Sequence, residues 1–523
     1  MMIPTPPVPQ TNRQQGSILL LLFFIIVKMV LQYVLLSPYY ELHRDEYLHL
    51  DLANHLSAGY LSVPPLTAFN SLLIRWLGNG MFWIKFFPAF YGALTMVLVW
   101  KMVELLGGRW FAQVLAALVF ICSGMGRLNL LYQPNSFDVL AWTSLCWCLL
   151  QYLHTEQNKW WWWMGVVAGI GILNKYNIIF LVIGMLGGLM LSSHRRIFRS
   201  RHAWGGALVA LLIISPNLVW QFLHGWPVVH HMKELTENQL VHVSRMSFIG
   251  DQFIFFMGGA FIVVAALVGL LFYKAFRSYR VMLLVYLLTM LLFTYLRAKS
   301  YYSLGLYPVL LAFGSVYWEY IFAERTPYLR VLWVAIIIVP FVLLMNVVFP
   351  VMPPARIIEK AAKFRAMGLL RWEDGKDHPL PQDFADMLGW REMSAIALQT
   401  WQQVPREQQP YTLVICDNYG QAGALNYYNS GKMPLAVTFN ADYVYWFPNM
   451  DTIRYIVKVG KRPEGKYLQL IGKVTQTGML RDTLSREYGD STNAYLLSDL
   501  SPALPAVLRK ALQEKQAVYQ GRN

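Results

Sequence analysis

The chain has 523 residues, of which 56% are hydrophobic, 15% aromatic and only 14% charged. Soluble proteins carry about 25% charged residues, so this composition excludes an ordinary soluble enzyme and is typical of a multi-pass membrane protein. The formal net charge of +15 would suggest a nucleic-acid partner in a soluble chain. Here the Lys and Arg residues lie mostly in short loops between apolar runs, where they indicate membrane topology, and we expect no nucleic-acid partner.

Apolar runs of about 17–25 residues are long enough to cross a bilayer as helices. The first run is too long for a signal-peptide core and no small-residue cleavage site follows it, so we expect a permanent helix. The segment 64–77 is too short to span alone and is typical of a surface or re-entrant helix. About eleven runs predict transmembrane helices: 17–36, 81–104, 110–127, 134–153, 160–174, 176–192, 203–223, 250–273, 280–296, 302–322 and 328–350.

Basic residues mark alternate loops, among them Lys101 with Arg109, Lys159, and the arginines between 195 and 201. Positive loops face the cytoplasm, so we expect a cytoplasmic amino terminus. An odd number of spans then places the tail from Val351 outside. The predicted domains are a transmembrane domain over 1–350, with a catalytic outer loop at 37–80, and an extracytoplasmic domain over 351–523.

The tail has ordinary charge content and a pattern typical of a small α/β domain. A strand-like stretch at 411–416 precedes Asp417 and Asn418 and a helix-like stretch at 421–428, which predicts a strand–turn–helix unit. Another strand is predicted at 453–459. Three of the four cysteines lie in apolar runs and only Cys416 in the tail, so no disulfide framework can be built.

Polar residues that could carry chemistry fall on the predicted outer face. Arg297 and Lys299 lie in a short outer loop against the positive-inside trend, and an anionic phosphate at headgroup level is their natural partner. The acidic pair Asp45-Glu46 follows the first span, and holding two carboxylates next to the hydrocarbon costs free energy, which suggests a functional role. The candidate residues are His43, Arg44, Asp45, Glu46, Tyr60, Asp138, Lys175, His224, Arg297, Lys299, Tyr301 and Tyr302.

Carboxylates and cations at the level of the outer lipid headgroups suit the transfer of a sugar from a lipid phosphate. Cations stabilise the charge that develops on the leaving phosphate, and a carboxylate takes the proton of the attacking acceptor. Asp45 is the first choice as general base and Glu46 the second. The pair could instead be a solvated loop or pair with Arg44, and Asp138 could pair with a cation between helices.

The cations have plainer explanations as well. Lys175 could extend to the interface as a flanking residue, and Arg297 and Lys299 could bind anionic membrane lipids. His43, His49 and His55, with Asp45 or Asp51, could flank a metal, but helical spacing puts the histidines on different faces. No cofactor is therefore predicted, and a divalent metal is left open.

Motifs along nearly the whole chain resemble the bacterial branch of the dolichyl-phosphate-mannose protein mannosyltransferase superfamily, the C-type membrane glycosyltransferases. The lipid A aminoarabinose transferases belong to this group. No single motif is highly specific, but the order of the motifs along the chain and their predicted position on one side of the membrane are specific when taken together. The matching residues are Asp45-Glu46, Gly59-Tyr60, Pro64-Pro65-Leu66, Phe137-Asp138, Gly171 to Tyr176, Pro216 to Trp220, His224-Gly225-Trp226, Lys299 to Tyr302, Tyr307-Pro308 and Asp417 to Ala424.

The resemblance implies a polyprenyl-phosphate sugar donor and an inverting transfer to a lipid, glycan or protein on the outer leaflet. It implies that Asp45 is catalytic with Asp138 close by, and that cations of later outer loops hold the lipid phosphate. Relatives commonly have His or Lys where this chain has Val63, so a contact to the donor phosphate or sugar is either missing or supplied elsewhere, for example by His43 or Arg44. The chain lacks the β-trefoil insertion of eukaryotic enzymes, which favours a bacterial plasma membrane.

Two other classes compete with an enzyme. A transporter or lipid flippase would place charges along a path through the midplane, often with paired broken helices. Here the polar candidates gather at one face and the halves show no repeat. A non-catalytic membrane scaffold, with a tail that binds partners, is the third class.

Overall fold

The computed structural model describes residues 10–238, 243–323, 326–488 and 492–521. The part before residue 350 is helical, because an apolar run in a bilayer satisfies its backbone N–H and C=O groups within a helix, even where Pro88, Pro216 and Pro340 lie inside it. Its helices are α1 Gln10–Val34, α2 Arg44–Asp51, α3 Leu66–Trp76, α4 Met81–Leu105, α5 Trp110–Ile121, α6 Gly124–Leu128, α7 Asn135–Thr155, α8 Lys159–Asn174, α9 Ile178–Met190, α10 Arg201–Leu223, α11 Pro227–Asn238, α12 Arg245–Ile254, α13 Ala260–Phe272, α14 Val281–Tyr295, α15 Tyr307–Trp318 and α16 Arg330–Val348.

Each of the eleven predicted runs contains a helix of this set. Within the described ranges, four helices are long and apolar enough to cross a membrane: Gln15–Val34 in α1, then α4, α10 and α16. Two further candidates are bent pairs, Ile178–Met190 with Ser193–Arg199 and Arg245–Ile254 with Met257–Phe272. The multi-pass helical fold is confirmed, and the number of spans stays a prediction.

The run at 250–273 was expected to be one span, and the structure does not form it as one straight helix. The structure breaks it between α12 and α13 with a bend of 90°. Met257 at the break has φ +43°, and a Cβ on Gly258 would lie 1.8 Å from the carbonyl oxygen of Ile336. A glycine pair in the middle of an apolar run was the available signal for this break.

The tail after residue 350 is an α/β domain, as predicted. Asn418 caps α21, since its side chain accepts from the backbone N–H of Gln421 at 3.1 Å. The helices are α17 Pro354–Glu359, α18 Ala361–Ala366, α19 Gln382–Ala385, α20 Trp390–Gln402, α21 Tyr419–Tyr428, α22 Gly465–Leu468 and α23 Leu504–Tyr519, and the strands are β1 Thr412–Cys416, β2 Val437–Thr438, β3 Tyr455–Gly460, β4 Ile471–Met479 and β5 Asn493–Leu500.

The five strands form one mixed sheet in the order β2-β1-β3-β5-β4. β1 pairs in parallel with both β2 and β3, whereas β5 pairs antiparallel with β3 and β4. All five residues of β1 are buried, as expected for a central strand covered on both faces. The domain core packs Leu413, Ile456 and Leu497 of the sheet against Leu504 and Leu508 of α23.

The chain divides into two compact units. The first unit contains residues 1–36, 81–214 and 240–349, and the second contains 37–80, 215–239 and 350–523. The loop at 37–80, predicted to be an outer loop, therefore groups with the tail domain. Its α3 is the short helix expected at 64–77, and it buries Thr67 and Ser71 while Phe69 and Trp76 are exposed.

Candidate active site

The polar residues of the loop at 37–80 are organised by the start of α2. His43 is the N-cap of this helix, and its Nδ1 accepts from the backbone N–H of Asp45 at 3.2 Å. The Glu46 carboxylate accepts in return from the backbone N–H of His43 at 2.8 Å. This is a capping box with histidine in the cap position. Glu46 is fully buried in this role, which leaves Asp45 as the outward-facing carboxylate of the pair.

Asp45 retains 35% side-chain exposure and is held from two directions. The hydroxyl of Tyr419, at the start of α21, donates to Asp45 Oδ1 at 2.8 Å. Burial works to raise the pKa of Asp45, but the charges of His43 and Arg44 outweigh it, and the pKa lies below its ordinary value. The carboxylate is therefore ionised at neutral pH, oriented and reachable.

The neighbours of Asp45 form a network that extends into the tail domain. The Arg44 guanidinium lies over the Tyr419 ring at 4.5 Å, and its backbone N–H donates to the carbonyl of Asp386 at 3.1 Å. His43 Nε2 lies 3.7 Å from the Asp386 carboxylate, which Arg486 also contacts at 3.1 Å. We call His43, Arg44, Asp45, Asp386 and Tyr419 the Asp45 group.

Tyr60 and His224 support the same loop in the structure. Tyr60 is buried, and its hydroxyl donates to the carbonyl of His55 at 2.9 Å and accepts from the N–H of Ser57. A Cβ on Gly59 would lie 2.3 Å from a ring carbon of Trp220, so only glycine allows this approach. His224 stacks on Trp220, with ring centroids 4.1 Å apart.

Two more aspartates also fix this loop: Asp442, which the sequence gave no reason to single out, and Asp51, which was considered only as a possible metal neighbour. Asp442 accepts from the backbone N–H groups of Leu61 at 2.5 Å and Ser62 at 3.2 Å. Asp51, at the end of α2, accepts from Tyr443 at 2.6 Å and from Asn426 at 2.7 Å. Burial raises the pKa of Asp51 to about 6 despite these hydrogen bonds. Both carboxylates are engaged as structural acceptors.

A second set of predicted residues lies in the first unit around Lys175. The Lys175 ammonium donates to Asn135 Oδ1 at 2.7 Å and lies over the rings of Tyr302 at 4.4 Å and Tyr301 at 5.3 Å. Such placement over aromatic faces favours a cation. Lys299 adds electrostatic repulsion at Lys175, so the two positive charges are near each other.

Asp138 is buried in the first turn of α7 beneath these cations. Its carboxylate accepts from the indole of Trp142 at 3.0 Å and from the Asn177 amide at 3.0 Å. The same amide donates to the carbonyl of Tyr302 at 2.9 Å. Through Asn177, Asp138 is therefore linked to the backbone of Tyr302. We call Asn135, Asp138, Lys175, Asn177, Lys299, Tyr301 and Tyr302 the Lys175 group.

The turn that carries Tyr301 and Tyr302 is the 3₁₀ segment Ser300–Leu306, and α12 supports it. Asp251 accepts from the Ser300 hydroxyl at 2.5 Å, and Gln252 Oε1 accepts from Ser303 and Tyr307. Sequence reasoning missed both of these residues of α12. Arg297 lies at the end of α14 with φ +53°, a left-handed conformation that residues with a Cβ seldom adopt.

The histidines of the loop at 37–80 do not gather as a metal site would need. Among the described residues, one group of three could ligate a metal, His43 with Asp383 and Asp386, with the ligand atoms within 4.8 Å of one another. His43 Nδ1 already accepts from a backbone N–H, and Arg486 neutralises Asp386. This donor set fits a divalent cation poorly, and no step below depends on one.

Comparison with known proteins agrees with the resemblance found in the motifs. Residues 62–220 match a family model described as dolichyl-phosphate-mannose-protein mannosyltransferase. The lipid A galacturonosyltransferase RgtD of Rhizobium johnstonii is 26% identical over 197 residues, which is 36% of this chain. The chain spans only 41% of that relative's length.

The solved structures match over almost the entire chain. ArnT from Cupriavidus metallidurans bound to undecaprenyl phosphate aligns with TM-score 0.59 and 13% identity, over 91% of this chain and 97% of that one. The apo state of the same protein aligns with TM-score 0.57 and 15% identity, over 93% and 99%. The fold predicted from the motifs is confirmed by these matches.

Proposed function

We propose that this protein is an integral-membrane glycosyltransferase that moves a sugar from a polyprenyl phosphate to a lipid, glycan or protein acceptor. The observation that carries the proposal is the state of Asp45, an ionised, oriented and partly exposed carboxylate in the loop predicted to be catalytic. The fold shared with a protein crystallised with undecaprenyl phosphate supports the lipid donor. The match to a galacturonosyltransferase supports sugar transfer over lipid or sugar transport.

In the proposed reaction an acceptor hydroxyl or amine attacks the anomeric carbon from the face opposite the phosphate. The new bond forms as the bond between that carbon and the phosphate oxygen breaks, which inverts the configuration. The acceptor proton passes to Asp45, and the electron pair of the broken bond stays on the polyprenyl phosphate. A carboxylate with a low pKa is a weak base, so proton transfer accompanies bond formation instead of preceding it.

The Lys175 group is proposed to hold the phosphate. Lys175 and Lys299 carry two positive charges against the one carboxylate of Asp138, so the group has an excess of positive charge. Fixed cations of this kind stabilise the charge that develops on a departing phosphate and need no rearrangement during the reaction. Asp138 acts as the buried counterion that positions Asn177. Arg297 is proposed to assist at the phosphate.

The proposed location is a bacterial plasma membrane, with a cytoplasmic amino terminus and the 351–523 domain outside. Single cysteines at exposed positions test this topology in cells, for example Asp374→Cys in the tail and Lys159→Cys at the start of α8. A membrane-impermeant maleimide should label the first in intact cells and the second only after lysis. The reverse pattern would overturn the sidedness of the proposal.

The experiment that tests the function uses the purified full chain in lipid nanodiscs. It is supplied with undecaprenyl phosphates carrying galacturonic acid, aminoarabinose or mannose, together with a lipid A acceptor or a membrane extract. Release of free undecaprenyl phosphate is measured by mass spectrometry. We expect release with at least one donor and an inverted glycosidic bond in the product. Donor movement between leaflets without release would establish transport and overturn the proposal.

A further inference from the structure

The tail domain contains a cavity that the proposed glycosyl transfer does not use. The cavity has a volume of about 230 Å³ and lies where the parallel strands end, beside Cys416 of β1, Thr438 of β2 and Lys458 of β3. In mixed and parallel α/β sheets, the carboxyl ends of the parallel strands are the edge at which ligands bind. We call this space the sheet-edge cavity.

The wall of the sheet-edge cavity is predominantly apolar. Apolar side chains from β1, β3, β4 and β5 and from α23 form it, and several belong to the domain core. An apolar cavity of about 150 Å³ is large enough to hold benzene, so the sheet-edge cavity can hold an apolar group larger than benzene. The aliphatic and phenylalanine side chains of the wall are Ile415, Phe439, Ile456, Ile471, Leu497, Leu504 and Leu508.

One polar side chain in this wall lacks a partner. Thr438 is completely buried, and its hydroxyl makes no hydrogen bond to any residue within the described ranges. A buried hydroxyl without a partner costs free energy, which a ligand that donates or accepts a hydrogen bond would recover. This hydroxyl is an independent indication that the cavity accommodates a molecule with a polar group.

The rim of the cavity is basic. Lys458 forms an ion pair with Asp417, whose other oxygen accepts from the backbone N–H of Lys461 at 2.6 Å. The segment that follows β3 lines the cavity through Pro463 and Tyr467, and its exposed residues add three more cations and one carboxylate, that of Glu464. The rim therefore attracts anions to an apolar space. The added cations are Lys461, Arg462 and Lys466.

We propose that the sheet-edge cavity binds an acyl carboxylate of medium length, with the chain in the cavity and the carboxylate at the basic rim. By comparison with the benzene-sized cavity, its volume suits a chain of about eight to twelve carbon atoms. The Thr438 hydroxyl then meets the polar end of the ligand. The proposal depends on the tail domain alone and is independent of the glycosyltransferase proposal.

A photoreactive decanoate with a diazirine on its chain tests this binding, using the full chain in lipid nanodiscs. Labelled peptides are mapped by mass spectrometry, with and without an excess of unlabelled decanoate. We expect saturable labelling of the peptides containing Cys416, Thr438 and Leu508, and competition by decanoate at least tenfold stronger than by decanol. Absent or non-saturable labelling there, or equal competition by decanol, would overturn the proposal.

Variants separate the cavity from general attraction to lipid. Leu508→Trp should fill the space and abolish the saturable labelling. Thr438→Val keeps the shape and removes an unsatisfied hydroxyl, so it should fold normally and weaken decanoate binding at least threefold. Wild-type affinity in a folded Thr438→Val protein would contradict the role of the hydroxyl and thereby the proposed site.

The same photolabelling assay tests two further points, the role of the basic rim and the source of the acyl chain. Replacement of Lys461, Arg462 and Lys466 by serine should weaken decanoate binding, whereas the exposed Lys432→Ser serves as the matched control. A photoreactive phosphatidylglycerol provides the other arm. If it labels the cavity peptides in preference to decanoate, the occupant is a membrane phospholipid tail and the free carboxylate is excluded.

Discussion

The Asp45 group and the Lys175 group contain the same kinds of side chain in opposite arrangements. In the Asp45 group the carboxylate is the exposed member, since 35% of the Asp45 side chain is accessible to solvent. The Tyr419 hydroxyl donates to it, and Arg44 lies over the Tyr419 ring. In the Lys175 group the carboxylate of Asp138 is 5% exposed and accepts from Trp142. There the cation, over two aromatic rings, is the more exposed member.

The difference between the two groups indicates different tasks. A partly exposed carboxylate with a low pKa can accept a proton from a reactant, whereas a buried one serves mainly to balance and position its neighbours. A cation that keeps contact with solvent can receive an anion. The proposed division of labour, with the base in one group and the phosphate site in the other, follows from which member of each group is reachable.

The largest effect is expected for Asp45→Asn. The amide keeps an acceptor for Tyr419 but cannot take the proton of the acceptor substrate, so turnover should fall by about 10³-fold. The rate of undecaprenyl phosphate release in nanodiscs measures this. Asp374→Asn, on an exposed carboxylate of the tail, is the control and should retain full activity. Full turnover in folded Asp45→Asn would remove Asp45 as the base.

Removal of the cation in the other group should have the next largest effect. Lys175→Met keeps much of the side-chain length but loses the charge, and the rate should fall by about 10²-fold. Binding of undecaprenyl phosphate, measured by native mass spectrometry, should weaken in parallel. Lys159→Met changes an exposed lysine and is the matched control. Weaker activity with unchanged phosphate binding would contradict the assigned role.

Most of the helical framework could be predicted because apolar runs and caps are local signals. The strand–turn–helix unit of the tail was visible in the pattern around Asp417 and Asn418, and Asn418 does cap α21. The break between α12 and α13 was missed because length and hydropathy outweighed a single glycine pair. The grouping of the loop at 37–80 with the tail could not be read from the order of the elements.

The candidate site was predicted only as a set of residue types. The role of Glu46 in the capping box was hidden because histidine is an unusual N-cap. The hydrogen bond between Tyr419 and Asp45 joins residues 374 positions apart, and no periodicity reports such a contact. The structural role of Asp51 could not be predicted either, because it depends on tertiary donors such as Tyr443.

Asp51→Ala sharpens the contrast between carboxylates of a single helix. It leaves buried donors on Tyr443 and Asn426 unpaired, so the free energy of unfolding should fall by about 2 kcal/mol. The raised pKa of Asp51, about 6, means that the folded state holds a proton that the unfolded chain has released. Its contribution to stability is therefore present below about pH 4 and is lost as the pH rises through 6.

Thermal unfolding followed by tryptophan fluorescence, between pH 4 and 8, measures both effects of Asp51→Ala. The variant should unfold at lower temperature and lose this part of the pH dependence, while Glu514→Ala, on an exposed carboxylate of α23, should match the wild type. If Asp51→Ala lost turnover with an unchanged unfolding temperature, Asp51 would be a chemical group and the distinction from Asp45 would fail.

The smallest effect is expected for Tyr419→Phe, which removes one hydrogen bond from the Asp45 carboxylate and keeps the ring beneath Arg44. Loss of one such bond should slow turnover about threefold to tenfold. Burial raises the pKa of Asp45 while its charged and hydrogen-bonded neighbours lower it, so removal of the Tyr419 bond should raise that pKa. The acidic limb of the pH–rate profile should therefore move to higher pH.

Tyr428→Phe removes a similar bond, from Tyr428 to Glu41, and should leave the profile in place. A slower Tyr419→Phe enzyme with an unmoved acidic limb would mean that Tyr419 supports the fold and not the ionisation of Asp45.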